Sequence, residues 1–204
     1  MIERTDTKSR ILDTAEKLFG INGFESVSLR DITTGAEVNL AAVNYHFQSK
    51  DALIDAVIAR RIAPVNARRM ELLDAAGSDA AVETILEAFL RPVFEKQIHA
   101  MVPLMGRVLS NPDMFVDRLF KVHLAPVSQR FMAAFAAALP GLETAEIAWR
   151  MHFSVGVMTH SLVWGNVFPR ITNGLCTIDD REALLQRTVQ FLAAGFRTPA
   201  PNRT

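Results

Sequence analysis

"SVSLRDITTGAEVNLAAVNYHFQSK", residues 26–50, decides how the rest of this chain is read. Ser28 and Asp31 stand three apart, so a hydroxyl and a carboxylate can reciprocally satisfy the free amides at a helix start, a capping box. The pattern predicts a short helix from there to about Ala36. Asn39 is a good N-cap for the next helix, Leu40 to about Phe47. Two short helices joined by roughly three residues read as a helix-turn-helix. Upstream, Ile11, Leu12, Ala15, Leu18 and Phe19 form one apolar stripe over residues 7–20, and Asn22-Gly23 supplies the stop. The N-terminal 50 residues therefore make a three-helix head.

The third helix carries the chemistry. Steps of about 100° place Leu40, Val43 and Phe47 on one side, turned inward, with Ala41, Ala42 and Tyr45 opposite. Asn44 and His46 flank that outer face. A surface entering a DNA major groove benefits from small residues, because alanine methyls approach thymine methyls closely. Flanking polar groups then reach phosphates or base edges, and Lys50 can take a further phosphate. The helix is only about 10 Å long, so few bases are read directly. Taken singly, these residues could be a plain small patch beside an exposed Tyr-His pair. The helix-turn-helix spacing around them favours the DNA reading.

Charge alone does not announce nucleic acid. The chain holds 22 Lys+Arg against 22 Asp+Glu. Residues 1–50 carry six basic side chains (Arg4, Lys8, Arg10, Lys17, Arg30, Lys50) against seven acids, so placement must do what total charge does not. The arginines at 60, 61, 68 and 69 read as a solvated helical face. Cys176 stands alone, which excludes an internal disulfide and a cysteine-based zinc site. No apolar run approaches the roughly 18–20 residues of a membrane span. "MIERTDTKSR" leads into no apolar segment of a signal peptide, and a cytoplasmic protein without membrane association is expected.

Beyond Asp51 the periodicity stays helical, and the chain reads as all-α. Helices are expected near 51–75, 79–100, 103–110, 112–138, 143–165 and 179–197. Pro64, Pro92 and Pro126 should kink or split three of them. Residues 166–178 read as a long loop. The domains expected are a head at 1–50, a larger helical effector-binding and dimerisation domain at 51–197, and a disordered tail at 198–204.

"RILDTAEKLFGINGFESVSLRDI" with "AEVNLAAVNYHFQSKDALIDAV" resembles the N-terminal DNA-binding domain of TetR/AcrR-family transcriptional regulators, over residues 8–55. The resemblance implies a homodimer on a palindromic operator in double-stranded DNA, controlled through a variable ligand-sensing C-terminal domain. Carried over by position, it implies DNA contacts from Ser28, Arg30, Asn39, Leu40, Ala41, Ala42, Asn44, Tyr45, His46 and Lys50. Two departures matter. Glu37 stands where the turn commonly has glycine, and a left-handed conformation there costs about 1–2 kcal/mol. Asn44 replaces a common aromatic. Downstream, "PLMGRVLSNPDMF" and "ALPGLETAEIAWRMHFSVGVMTHSL" resemble the C-terminal domain of TetR-type repressors that include fatty-acid responders.

The sensing domain is rich in Phe and Met. Phe89, Phe94, Met101, Met105, Phe115, Phe120, Phe131, Trp149 and Phe153 are candidate walls for a small hydrophobic effector, a fatty acid or acyl thioester. Ordinary core packing is the plainer reading of any one of them. Arg107, His123 and Arg150 are candidate polar anchors. Met151, Val155, Met158 and Leu162, with Leu185, Val189 and Leu192, form stripes that fit a two-fold four-helix dimer interface or the protein's own core. Catalysis is not expected. His152 and His160 are about 12 Å apart on one helix, too far to share a zinc ion. Neither a G-x-S-x-G elbow nor a phosphate-binding glycine loop is present, and no cofactor or metal is called for. The competing class is a helical adaptor that binds only protein.

Overall fold

In the computed structural model, residues 6–94, 115–165, 167–177 and 180–201 are described, with 115–119 described in backbone alone. Every regular element among them is helical. Helix α1 (Thr7–Asn22) buries Ile11, Leu12, Ala15 and Phe19, the face its periodicity marks. It stops at Gly23, whose φ of 84° suits glycine and whose amide donates to the Phe19 carbonyl at 2.9 Å. Helix α2 (Leu29–Ala36) crosses α1 closely. A Cβ at Gly35 would lie 2.8 Å from Thr14 Cγ2, so a larger residue here would force the Thr14 side chain to shift.

Helix α2 begins with the expected capping box. The Asp31 amide donates to Ser28 Oγ at 3.2 Å, and the Ser28 amide donates to Asp31 Oδ2 at 2.8 Å. Glu37 ends it in the left-handed region, φ 53° and ψ 49°, the conformation expected where glycine is missing. Helix α3 (Leu40–Phe47) follows after three residues, with Asn39 Oδ1 accepting from the Ala42 amide at 2.9 Å. Val43 and Phe47 are its buried residues. Leu40 corrects the expectation of an inward residue: it is 50% exposed. It sits in the first turn, where α3 has yet to lie against the core.

Helix α4 (Lys50–Ala76) runs through Pro64 unbroken, against the expectation of a split. The division of the chain into two compact units falls at this proline, residues up to 64 clustering with 115–123 and residues from 65 with 124–201. In the first unit, Arg60 pairs with Asp13 of α1 at 2.6 Å, and Arg61 pairs with Glu16. The arginine run is therefore not a solvated face here. Two acids of the head are neutralised by it.

In the second unit, α5 (Val82–Phe94) lies chiefly along α9 (Arg181–Arg197). A π-helical stretch, Phe115–Leu124, leads into α6 (Ala125–Ala138), and Pro126 sits in the first turn of α6, where its missing amide costs nothing. Helix α7 (Thr144–Trp164) packs on α6 and α9. The loop expected at 166–178 contains one helical turn, α8 (Phe168–Ile171). The expected helix at 103–110 lies outside the described residues. Phe89 meets Phe131 edge-on at 5.2 Å, and Phe135 stacks on Phe196 at 4.2 Å, joining α5 to α6 and α6 to α9. Arg91 of α5 bridges Glu87 and Glu182, and Arg197 of α9 pairs with Glu83.

Candidate nucleic-acid interface

Caps at both ends of the turn make α3 a rigid presenter. Its core side is anchored by Val43 and Phe47, each worth about 1.5–3 kcal/mol of burial. That leaves Leu40, Ala41, Asn44 and Tyr45 exposed, with Ala42 and His46 half-buried beside them. Tyr45 is 83% exposed, and its ring meets His46 edge-on at 5.1 Å. Ala41 and Tyr45 are four apart and share a face, a small surface with a phenol at one end that can bond a phosphate oxygen. Burying so exposed an aromatic calls for a partner, and no neighbouring element covers it among the described residues.

The remaining expected contacts fall into two groups. Arg30 is exposed on α2, and Lys50 opens α4 with its Nζ donating to the Glu25 carbonyl at 3.3 Å. Ser28 and Asn39 already use their side-chain oxygens as caps. The Ser28 hydroxyl also donates to Asp31 Oδ2 at 2.7 Å, and these bonds hold the Asp31 carboxyl below its ordinary value. Ser28 is thus first a support of α2. The ion pairs of Asp13 and Glu16 with α4 went unread in the sequence, since partners 45 or more residues apart leave no periodic signal.

The effector candidates are scattered by the structure. Phe89, Phe94 and Phe131 are each buried in the second unit, where Phe89 meets Phe131. Met101, Met105 and the side chain of Phe115 lie outside the described residues, as does Arg107. Phe120 is exposed and His123 half-buried, both on the π-helical stretch of the first unit. Trp149 and Phe153 correct the expectation of interior walls: they are 58% and 56% exposed on the outer face of α7, stacked on each other at 5.8 Å. Arg150 is no free anchor either. It pairs with Glu146 and donates to the Phe196 and Thr198 carbonyls, closing the end of α9. An open depression of about 430 Å³ beside Asp79, Ala138 and Arg197 is lined by none of the expected walls.

Of the two readings of the apolar stripes, dimer interface or the chain's own core, burial favours the core for most of these residues. Met151, Leu185, Val189 and Leu192 are buried within the chain itself, and Val155, Met158 and Leu162 are half-buried beside them. The reason is that α7 is apolar on two faces, and the one carrying Met151 packs inward. Left exposed are Trp149, Phe153 and Trp164 on α7 and, on α9, Phe191, which is 70% exposed. Among the described residues no three His, Cys, Asp or Glu side chains gather into a metal site, and no helix is long and apolar enough to cross a membrane.

Residues 11–57 match the family described as "Bacterial regulatory proteins, tetR family", and residues 83–195 match "Tetracyclin repressor-like, C-terminal domain". The chain is 28% identical over 92 residues to the probable HTH-type transcriptional regulator YttP of Bacillus subtilis (strain 168), covering 45% of this chain and 42% of that protein. It is 29% identical over 113 residues to the HTH-type transcriptional regulator UidR of Escherichia coli (strain K12), covering 55% and 57%. The chain thus spans about half the length of the curated relatives it matches. Its fold is similar to that of the fatty acid degradation regulator FadR from Bacillus halodurans, with a TM-score of 0.68 at 16% identity, over 97% of this chain and 100% of that one.

Proposed function

The chain belongs to the TetR family of bacterial regulatory proteins, and we propose that it is a homodimeric repressor whose two α3 helices read a palindromic operator. The family and the matched relatives are regulators rather than enzymes. The observation that carries the proposal is the exposed face of Ala41, Asn44 and Tyr45 on a helix capped at its start and anchored behind. It supports groove entry by the alanines, flanking contacts by Asn44 and His46, and phosphate contacts by Tyr45 and Lys50. Arg30 on α2 reads or clamps from the side.

Dimerisation uses the exposed aromatic face of α7 and α9, Trp149, Phe153, Trp164 and Phe191. Aromatics of this size carry much of the energy of protein interfaces. A small apolar effector enters the second unit near Phe89, Phe94 and Phe131, and favours a head separation that no longer fits two successive major grooves. Selection of bound duplexes from a random pool tests the reading. The expected product is a palindrome whose half-sites lie about 10 base pairs apart or a multiple of that. Recovery of an asymmetric single half-site, or of no DNA at all, would favour the protein-binding adaptor instead.

A further inference from the structure

Arg69, in the part of α4 that belongs to the second unit, is 5% exposed. Its guanidinium lies over the Phe89 ring, 4.3 Å from the centroid. Nε donates to the Phe89 carbonyl at 2.8 Å, and Nη1 donates to Asn66 Oδ1 at 3.3 Å. Among the described residues Nη2 reaches only the Met158 sulfur, at 3.7 Å, and a thioether is a weak acceptor. Burial pushes the pKa down to about 10, with no carboxylate among the described residues acting against it, so the group remains a cation at neutral pH. Arg150 makes the contrast: equally buried, it has Glu146 and two carbonyls.

A buried cation without a counter-charge costs several kcal/mol, and a side chain that only braced a helix would not need the charge. The bond to the Phe89 carbonyl is such a brace, beside Pro92, whose missing amide weakens the bonding of α5 there. That bond occupies Nε alone. The Nη1–Nη2 edge is left with one long bond and one weak one, and its two-pronged geometry is that of a carboxylate partner.

We infer that Arg69 holds the effector's anionic head, a carboxylate on an apolar body, in a bidentate pair through Nη1 and Nη2. This rests on the reading that an apolar effector enters the second unit. The Phe89 ring holds the guanidinium plane from below, and the apolar body lies among Phe89, Phe94 and Phe131. An acid held here is held by α4, the same helix whose Arg60 and Arg61 pair with α1 of the head.

The test is a thermal-shift titration of the full-length protein with decanoate and 1-decanol, and with 2-naphthoate and 2-naphthylmethanol. The two pairs separate chain acids from ring acids. In at least one pair the acid should bind about tenfold more tightly than its alcohol, the worth of one charged hydrogen-bonded contact. Decylammonium, with the same chain and the opposite charge, should give no stabilisation. In Arg69→Gln the acid preference should fall to within about threefold, with alcohol binding unchanged. Should that variant fail to fold, the order acid, alcohol, ammonium in the wild type still decides. Equal binding of acid and alcohol in both pairs, or an acid preference that survives in Arg69→Gln, overturns the assignment while leaving the apolar effector intact. Binding of none of these compounds overturns both.

Discussion

Replacing Glu37 with glycine should make the protein more stable. Glu37 sits at φ 53° and ψ 49°, where a Cβ crowds the following carbonyl at a cost of about 1–2 kcal/mol. Glycine removes that cost but loses more chain entropy on folding, about 0.4–1 kcal/mol. The Glu37 side chain is exposed, and the hydrogen bonds at this position come from its backbone amide, to the Thr33 and Thr34 carbonyls, which glycine keeps. The net gain is therefore about 0.5–1 kcal/mol, or roughly 1–4 °C in Tm for a chain of this size. Urea and thermal melts of wild type, Glu37→Gly and Glu37→Ala read it out. Alanine discards the charge but keeps the Cβ, so it should not stabilise. A Glu37→Gly protein less stable than wild type, or an alanine variant that gains as much, would refute the strain argument. Glu37→Gly should also bind DNA more tightly, since it removes a negative charge three residues before the start of α3, the helix proposed to enter the groove.

Lys50→Ala should weaken binding to all sequences alike and shallow the salt dependence by about one unit per bound head, whereas Arg30→Ala should relax specificity at one base position; identical behaviour across operator variants would contradict that division. Glu182, bonded to Arg91 and Gln186, has its pKa lowered from 4.5 to about 2. Its stabilisation is present above the unfolded value and lost as pH falls through about 4.5 toward 2, so Glu182→Gln should be less stable near pH 7 and less acid-sensitive across that window in pH-dependent melts. Phe153→Asp, on the exposed face of α7, should sediment as a folded monomer while the wild type is expected to sediment as the proposed dimer; an unchanged dimer would place the interface elsewhere.

Features set by neighbours in sequence were legible before the structure. The capping box at Ser28 and Asp31, the Asn39 cap and the Gly23 stop all follow from groups within four residues of one another, whereas the left-handed Glu37 was expected from the family resemblance. What depended on distant partners was not. Helix α7 carries Ile147, Met151 and Ser154 on one face and Trp149 and Phe153 on another. Periodicity identifies such a helix but cannot choose its inner face. Arg61 and Arg69 looked like members of a solvated run because Glu16 and Phe89, their partners, lie 45 and 20 residues away. Leu40 looked like core by its place on the helical wheel beside Val43 and Phe47, yet in the first turn of α3 it is left half exposed. Among the expected DNA contacts, exposure shows which side chains of α3 are accessible, and the caps explain why Ser28 and Asn39 are supports first.

The outer face of α3 is proposed to read DNA, and Ala41→Glu places a negative charge on that face. Ala41 is exposed, so the fold should tolerate the change and the melting temperature should hold. A carboxylate there meets base edges and phosphates at both half-sites. At about 1.4 kcal/mol or more per head, affinity for the selected operator should fall roughly hundredfold or further. The measurement is a fluorescence-anisotropy titration of wild type and Ala41→Glu on that duplex, at one fixed salt concentration. A folded Ala41→Glu dimer that binds the operator as tightly as wild type would show that α3 does not enter the groove.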